Sequence, residues 1–468
     1  MKQYITAALT STLVLLGACQ DNPAAPSTDR PVAGSQQTLQ SLATGIIATD
    51  RTAVGGAYFL WGSIMARDAI VPTGNETRFL TEFYELQPDP SDFIGGSQWT
   101  LYYATIRAAH NLLKDPALTK LSAGDQAAAS GFLRTLIALE YIRIIEYRDQ
   151  NGVVIQGDDP AKVDPIRTKQ VGLAYASALL DSALTNLSAG SATVPFTVPP
   201  GYQLHGDYSQ TANIILLNRG LKGKAEVFRA LDAKSPNAGS AATAITALNQ
   251  ALAGAPTPVT QDYLNQGPWY QYNPGSPETF ANPLPSSTNL LTNNFANSIM
   301  PGDARQAEIV PTKPQTVRNP AYVGANRLPI TDPTNAANQT APLPVIRNAE
   351  LYLLRAQAEI ATGDLVSATA DINVVHTVEG GLPAYSTFTT AAGAIQAVLY
   401  EYRYSFAYMG PQHIDAIREY GGLTPAYVSA PGIPTPGPAV DALVQMLPIP
   451  QNEVNARNGS ITPVNSYP

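Results

Sequence analysis

Apolar residues recur at helical spacing through most of the chain. Stretches 36–70, 97–114, 122–148, 166–188, 210–233 and 240–253 are rich in Ala, Leu and Ile three and four residues apart, which predicts amphipathic helices pairing antiparallel. Ser122 with Asp125 has the form of an N-terminal cap ahead of Leu133, Leu136, Leu139 and Ile142, which share a face. The pattern sharpens after residue 345. Ile346, Ala349, Leu353, Ala356 and Ile360 line one helix, Gly363 ends it, Asp364 can cap the next, and Leu365, Ala368, Ile372 and Val375 repeat the step. Alanine at the contact positions lets two helices approach closely, as in a tetratricopeptide-like hairpin. A further pair follows, with Ile395, Val398, Tyr402, Phe406 and Met409 on the first helix and Gly410-Pro411 turning into 412–420. The expected fold class is mainly α: tetratricopeptide-like helical hairpins with long irregular loop insertions.

The largest insertion is 256–345. Between Pro256 and Pro344 lie 15 of the chain's 39 prolines, with many Asn, Thr and Gly, and no helical period persists there. Loops of this length tend to carry function. Residues 421–468 are again rich in Gly and Pro.

The N-terminus changes the picture of where the protein works. Lys2, the apolar run Ile5–Leu16 and the small residues Gly17 and Ala18 before Cys19 have the zones of a secretory signal, too short to span a bilayer. Leu16-Gly17-Ala18-Cys19 resembles the lipobox of bacterial lipoproteins, which implies cleavage before Cys19 and diacylation of that residue. Cys19 is the only cysteine, so it has no disulfide partner within the chain. The expected division is a signal peptide 1–18, a polar, proline-rich tether 19–35, and a body 36–468. Charged residues make up 14% and the net charge is −8, which disfavours nucleic acid and electrostatic adhesion to anionic lipid. After the signal, no apolar run reaches transmembrane length.

Catalytic constellations are sparse. His110, His205, His376 and His413 share no metal-ligand spacing; His376 and His413 read as helix-surface or packing residues. Gly220, Gly223 and Lys224 lack the spacing of a phosphate loop and sit within a helical period. An all-helical glycoside hydrolase is the enzyme alternative. It would need two carboxylates about 5 to 10 Å apart, which Asp89 with Asp92, or Asp158, Asp159 and Asp164, could supply, although acidic loop residues are more often turn formers. No metal site and no cofactor are expected, and nothing in the sequence supports structural calcium.

Binding chemistry is better represented. Sugars present C–H faces to flat aromatics and hydroxyls to amides or carboxylates. Tyr263, Trp269, Tyr270 and Tyr272 cluster in the insertion beside Asn265, Gln266, Gln271 and Asn273, so Tyr263, Trp269, Tyr270, Tyr272 and Asn273 are the leading ligand candidates. The alternative is a loop pinned to the body by its own aromatics. Trp61, beside Tyr58 and Phe59, is a further candidate for which core packing is favoured.

Three stretches carry a family resemblance: Ile346-Arg347-Asn348-Ala349-Glu350-Leu351 through Ala358 with Asp371, Asn373 and Gly380-Gly381-Leu382; Glu401-Tyr402-Arg403 through Phe406, Gly410, Asp415, Arg418 and Gly421; and Leu447-Pro448-Ile449-Pro450 through Val454 with Asn465 and Tyr467. Trp99, Leu101, Tyr102, Ile106, Ala109 and Asn111 fit as an early helix. In order and spacing they resemble the SusD/RagB family of nutrient-binding outer-membrane lipoproteins, best over 345–468 and thinly over 190–340. The chain departs at Ser405, Met409 and Gln412, where the family usually carries charge. The resemblance implies no catalysis, but a lipid-anchored outer-membrane protein that captures an oligosaccharide or peptide at the cell surface and sits as the lid over a SusC-type TonB-dependent transporter. An envelope scaffold without a ligand is the remaining alternative.

Overall fold

The computed structural model describes residues 35–85, 87–157, 162–199, 202–275, 280–316, 323–422 and 444–465. Cys19, the tether, Asp158, Asp159 and Tyr467 lie outside them. The longer helices are α1 (Gln36–Met65), α2 (Thr100–Lys114), α3 (Ala123–Arg148), α4 (Lys169–Ala189), α5 (Thr211–Ala230), α6 (Ala238–Ala251), α7 (Asn348–Thr362), α8 (Leu365–Val378), α9 (Ala391–Ser405) and α10 (Gln412–Glu419). Each packs on the next in chain order from α1 to α10, and α10 returns to α1. Capping explains several boundaries. Ser122 Oγ accepts from the Asp125 amide at 3.2 Å, and Asp364 Oδ1 accepts from the Ser367 amide at 3.1 Å. Gly363, at φ +83°, closes α7 in the left-handed conformation, so the two-residue link to α8 folds back as an antiparallel hairpin.

The insertion is more ordered than its composition suggests. It contributes three strands to a four-stranded antiparallel sheet of order β1 (Ala69–Ile70), β5 (Leu290–Thr292), β7 (Val323–Arg327), β6 (Val310–Thr316). Two strands of two residues each form a separate antiparallel pair, β4 (Trp269–Tyr270) with β8 (Leu343–Pro344). A third pair, β2 (Val153–Val154) with β3 (Ile166–Arg167), precedes α4. Strands this short carry no periodic signal, and β6 is an exposed edge whose Pro311 and Pro314 both withhold amide donors. The insertion 256–345 is thus irregular as expected over most of its described length, with five short strands placed in it. The C-terminal stretch, in turn, is stitched to the N-terminal half, with Leu447 N donating to Tyr147 O at 2.7 Å and Gln451 N to Pro90 O at 2.9 Å.

One contiguous core runs through the helices. At its centre α3 is buried on nearly every side from Ala128 to Arg148, although it carries Glu140, Arg143, Glu146 and Arg148. Three of these charges face an opposite charge, Glu140 at 3.6 Å from Arg143, whereas Arg148 donates to Ser97 O and lies 5.6 Å over the Trp99 ring. Arg143 binds Asp50 of α1 and donates to Tyr270 Oη at 2.6 Å. Lys224 of α5 pairs with Glu146 and, at 2.7 Å, with Glu350 of α7. Tyr58 donates to Glu146 at 2.9 Å. Lys169 pairs with Asp149 at 2.6 Å and with Glu419 of α10. The histidines take part as well: His376 Nδ1 lies 2.7 Å from Glu401, and His413 Nδ1 lies 2.5 Å from Asp68. Both are buried packing residues with an electrostatic partner, rather than residues of a helix surface.

Glycines set the closest helix contacts. A Cβ on Gly223 of α5 would stand 2.3 Å from Leu248 Cγ of α6, whereas one on Gly220 would meet the tips of Leu351 at 3.0 Å. Overpacking costs about 1–3 kcal/mol, against the roughly 1 kcal/mol that alanine gains over glycine in a helix. Gly223→Ala is expected to lower the free energy of unfolding in a urea titration by about 1–2 kcal/mol, and Gly220→Ala by clearly less, because a side-chain tip can move aside. Lys224→Met strands two buried carboxylates and is expected to cost about 3–5 kcal/mol in the same measurement. Adding Glu350→Leu to it should recover part of that loss.

Candidate functional site

The segment from Thr260 to Tyr272 crosses from the end of the helical array into the insertion, and local rules shape each step. Thr260 Oγ1 caps the short helix Gln261–Leu264 by accepting from Tyr263 N at 3.3 Å. Gly267, at φ +142°, follows. A Cβ there would lie 2.0 Å from Ile346 O, so the chain passes α7's entry only as glycine. β4 then pairs with β8 in the register Trp269↔Pro344 and Tyr270↔Leu343. Successive strand residues point to opposite faces, so the two neighbouring aromatics part company.

Tyr270 points inward. It is 1% exposed, receives the Arg143 hydrogen bond and donates to Asp50 Oδ2 at 2.8 Å. Burial pushes its phenol well above the ordinary tyrosine range, so it stays a neutral donor. Tyr272 is also buried. It stacks on Phe280 at 5.9 Å, and the Arg51 guanidinium covers Phe280 at 5.0 Å. Asn273 is exposed and exchanges backbone hydrogen bonds with Phe280 at 2.8 and 2.7 Å. Tyr270 ties the insertion to α1 and α3, whereas Tyr272 and Asn273 meet Phe280 within the insertion. Trp61 lies inside the core, 5.9 Å from Phe83 and 6.3 Å from Phe93.

Trp269 and Tyr263 border cavities instead. Trp269 lines a 520 Å³ cavity with apolar walls from Ile309, Leu328, Ile330, Leu343 and Met409 and polar groups from Gln261, Asn265 and Asn338. Its indole donates to Asn265 O at 2.9 Å, which fixes the ring plane, and His205 sits 5.4 Å away on the other side. Tyr263 lines a 330 Å³ cavity with His205, Tyr208 and Gln266. Its hydroxyl donates to Leu252 O at 3.1 Å, and burial raises its phenol to about 12. Both cavities reach Arg347, whose guanidinium pairs with Glu379, donates to Ser405 O at 2.7 Å and lies 4.3 Å over Phe406. Burial works against ionisation of Glu379, but Arg347 holds its carboxyl below the usual range. This arm of the site is therefore a fixed, neutralised pair.

The cavity offers an aromatic edge, apolar walls and amides, the repertoire of recognition without reaction. Among the described residues no group of three or more His, Cys, Asp or Glu is placed to hold a metal ion. The loop carboxylates are occupied as turn formers. Asp89 Oδ1 accepts from Ser91 N at 2.8 Å, Asp92 Oδ1 from Ile94 N at 2.8 Å, and Asp164 Oδ2 from Gly157 N at 2.7 Å. Ile309, Leu328, Ile330, Asn338 and Tyr404 belong to the cavity although no sequence cue singles them out. They come from four separate segments that only folding brings together.

The positions that depart from the family pattern are also filled. Ser405 Oγ accepts from Arg305 at 2.7 Å, and the Gln412 amide donates to Glu350 at 3.2 Å, so neutral groups occupy places within an intact ionic network.

No curated protein matches the chain. Solved structures do. A SusD superfamily protein from Bacteroides thetaiotaomicron aligns with TM-score 0.64 at 16% identity, covering 91% of this chain and 98% of its own. Surface glycan-binding protein A from Bacteroides uniformis aligns with TM-score 0.64 at 16% identity, covering 91% and 99%. A crystal structure with xylogluco-oligosaccharide aligns with TM-score 0.65 at 14% identity, covering 91% and 100%. At these identities the likeness is one of fold. The sequence itself matches the profile of the SusD family over residues 267–465, beginning at the glycine before Trp269 and running through both helical hairpins and the C-terminal turn. Over residues 267–465 the chain thus carries the sequence profile of the SusD family, on a fold shared along nine tenths of its length.

Proposed function

We propose that this protein is a lipid-anchored binder of the outer membrane that captures a nutrient, an oligosaccharide in the first place and a peptide in the second, and hands it without chemistry to a SusC-type TonB-dependent transporter. The observation that carries the reading is the 520 Å³ cavity bordered by Trp269, where a ring held in plane faces apolar walls and side-chain amides. Its volume suits a small-ligand site. The match to the SusD family over residues 267–465 supports the partnership with the transporter, and the glycans named for two structural relatives support the ligand class. Of the sequence candidates, Trp269 and Tyr263 are assigned to ligand contact. Tyr270, Tyr272 and Asn273 are assigned to holding the loop that presents them, and Trp61 to packing.

No helix among the described residues is long and apolar enough to cross a membrane. In the proposed organisation a lipid on Cys19, after removal of 1–18, holds the body 36–468 at the membrane through the tether 19–35.

Two outcomes test this reading. Trp269→Ala is expected to weaken binding of the recognised glycan in isothermal titration by about tenfold or more, corresponding to about 1.4 kcal/mol, while Tyr270→Phe leaves affinity within about twofold and lowers stability by about 1 kcal/mol. Unchanged affinity in Trp269→Ala would count against the cavity. Cys19→Ser should give an exported, unlipidated protein with native affinity in vitro and lost uptake in cells. Normal uptake by that variant would remove the anchor from the mechanism.

A further inference from the structure

The chain is acidic as a whole, with 36 aspartates and glutamates against 28 lysines and arginines, yet one cavity reverses the balance. A 680 Å³ groove along α2 is lined by Arg107, Lys114, Lys162 and Arg457 against Asp164 and Glu453. The two cavities around Trp269 show no such excess: Arg347 is matched by Asp262 in one, and Arg305 and Arg347 by Glu308 and Glu379 in the other. Within the groove Glu453 pairs with Arg457, and Asp164 Oδ2 accepts from Gly157 N at 2.7 Å. Arg107, Lys114 and Lys162 are all exposed, and among the described residues Arg107 and Lys162 have no carboxylate partner.

Helical spacing builds the cationic wall. Arg107, His110, Asn111 and Lys114 stand at i, i+3, i+4 and i+7 of α2, so they share one face and span about 10 Å of its axis. The guanidinium brings a planar fork, the ammonium a compact charge and Asn111 an amide donor. Lys162 comes from a second segment, the loop before β3, so the cations are not confined to one helix. The direction of α2 places this wall within the molecule. α3 runs with α1, because Arg143 binds Asp50 while Tyr147 donates to Tyr58 O at 2.6 Å. α2 runs against α3, with Trp99 5.6 Å from the Arg148 guanidinium and Tyr103 6.4 Å from Tyr141. Lys114 therefore closes α2 at the end of the body where α1 begins, the end that residues 19–35 precede.

We propose that this groove binds a phosphate-bearing anion, with Arg107 and Lys114 as its principal contacts. A carboxylate is planar and one guanidinium fork satisfies it, whereas a phosphate spreads its charge over several oxygens and takes charged donors from more than one side. The phosphate can be free or can belong to a lipid headgroup, and the place of Lys114 beside the start of α1 favours the headgroup: a lipid on Cys19 would hold that end of the body near the membrane. The net charge of −8 opposes adhesion of the body as a whole, so such contact is confined to the groove. Each Lys or Arg close to an anionic surface strengthens binding by about fivefold. The preference for a headgroup rests on the proposed anchoring. The anion site itself does not, and it shares no lining residue with the cavities around Trp269.

The test uses the mature chain with Cys19→Ser, which carries no lipid, in isothermal titration with inorganic tripolyphosphate and in sedimentation with vesicles of phosphatidylcholine, with and without phosphatidylglycerol. Arg107→Gln with Lys114→Gln removes two exposed charges from the groove, and Lys234→Gln with Lys313→Gln removes two exposed charges elsewhere. The first pair is expected to weaken tripolyphosphate binding by about tenfold or more, and the second to leave it within about twofold. Sedimentation of the native chain with phosphatidylglycerol vesicles, abolished by the first pair, would identify the phosphate as a headgroup; binding of tripolyphosphate without sedimentation would identify it as free, and either supports the site. Equal losses in both pairs would trace binding to overall charge and overturn the groove. So would native affinity in the first pair, or no binding of either probe by the native chain. Binding of pentaglutamate as tight as that of tripolyphosphate would overturn the choice of phosphate. None of these outcomes bears on the Trp269 cavity, whose reading Trp269→Ala tests separately.

Discussion

The fold turns on a set of charges buried where charges are costly. Helix α3 could have been apolar throughout, yet it carries Glu140, Arg143, Glu146 and Arg148 into the centre of the molecule. Each ion removed from water carries a penalty of several kcal/mol unless its partners are in place, so these residues constrain the fold more than they stabilise it. Arg143 is satisfied only if α1 brings Asp50 and the insertion brings Tyr270. Lys224 is satisfied only if α3 and α7 present Glu146 and Glu350 together. Helices distant in sequence are thereby held in one arrangement, because alternatives leave a buried charge unpaired.

This requirement reaches the cavity beside Trp269 through one hydrogen-bonded triad. Asp50, Arg143 and Tyr270 fix the strand on which Trp269 is the next residue, and the alternation of that strand turns Trp269 the other way, to the cavity. The aromatic cluster of the insertion thus has two tasks divided by strand geometry. The members that anchor the loop are the most buried, and those that border open volume are its neighbours. A loop of many prolines can present a defined surface because its ends are bonded into the core, and because Gly267 and the β4–β8 register leave little freedom between them.

The same logic accounts for the neutral substitutions at Ser405 and Gln412. In a network where Arg305, Arg347 and Lys224 each have other carboxylate partners, a hydroxyl or an amide can complete the hydrogen bonding without adding another buried charge. His376 and His413 belong to the same pattern, each resting against a carboxylate that also binds an arginine.

The sequence by itself determined the helices, because apolar spacing, the Ser122 and Asp364 caps and the Gly363 stop are local signals read within a turn or two of chain. It also carried the resemblance to the SusD family, since the motif stretches lie on helices and turns whose packing depends on those residues. It pointed to the neighbourhood of Trp269 by the density of aromatics there. It did not disclose the sheet in the insertion, whose strands of two to seven residues pair across long separations and carry prolines that mask any alternation. Nor did it tell Trp269 from Tyr270. Adjacent in sequence and alike in chemistry, they were separated only when β4 took its register against β8 and Arg143 claimed one of them. Cavity walls from Ile309, Leu328 and Met409 are likewise a product of tertiary structure, because shape is a relation between segments that no single segment contains.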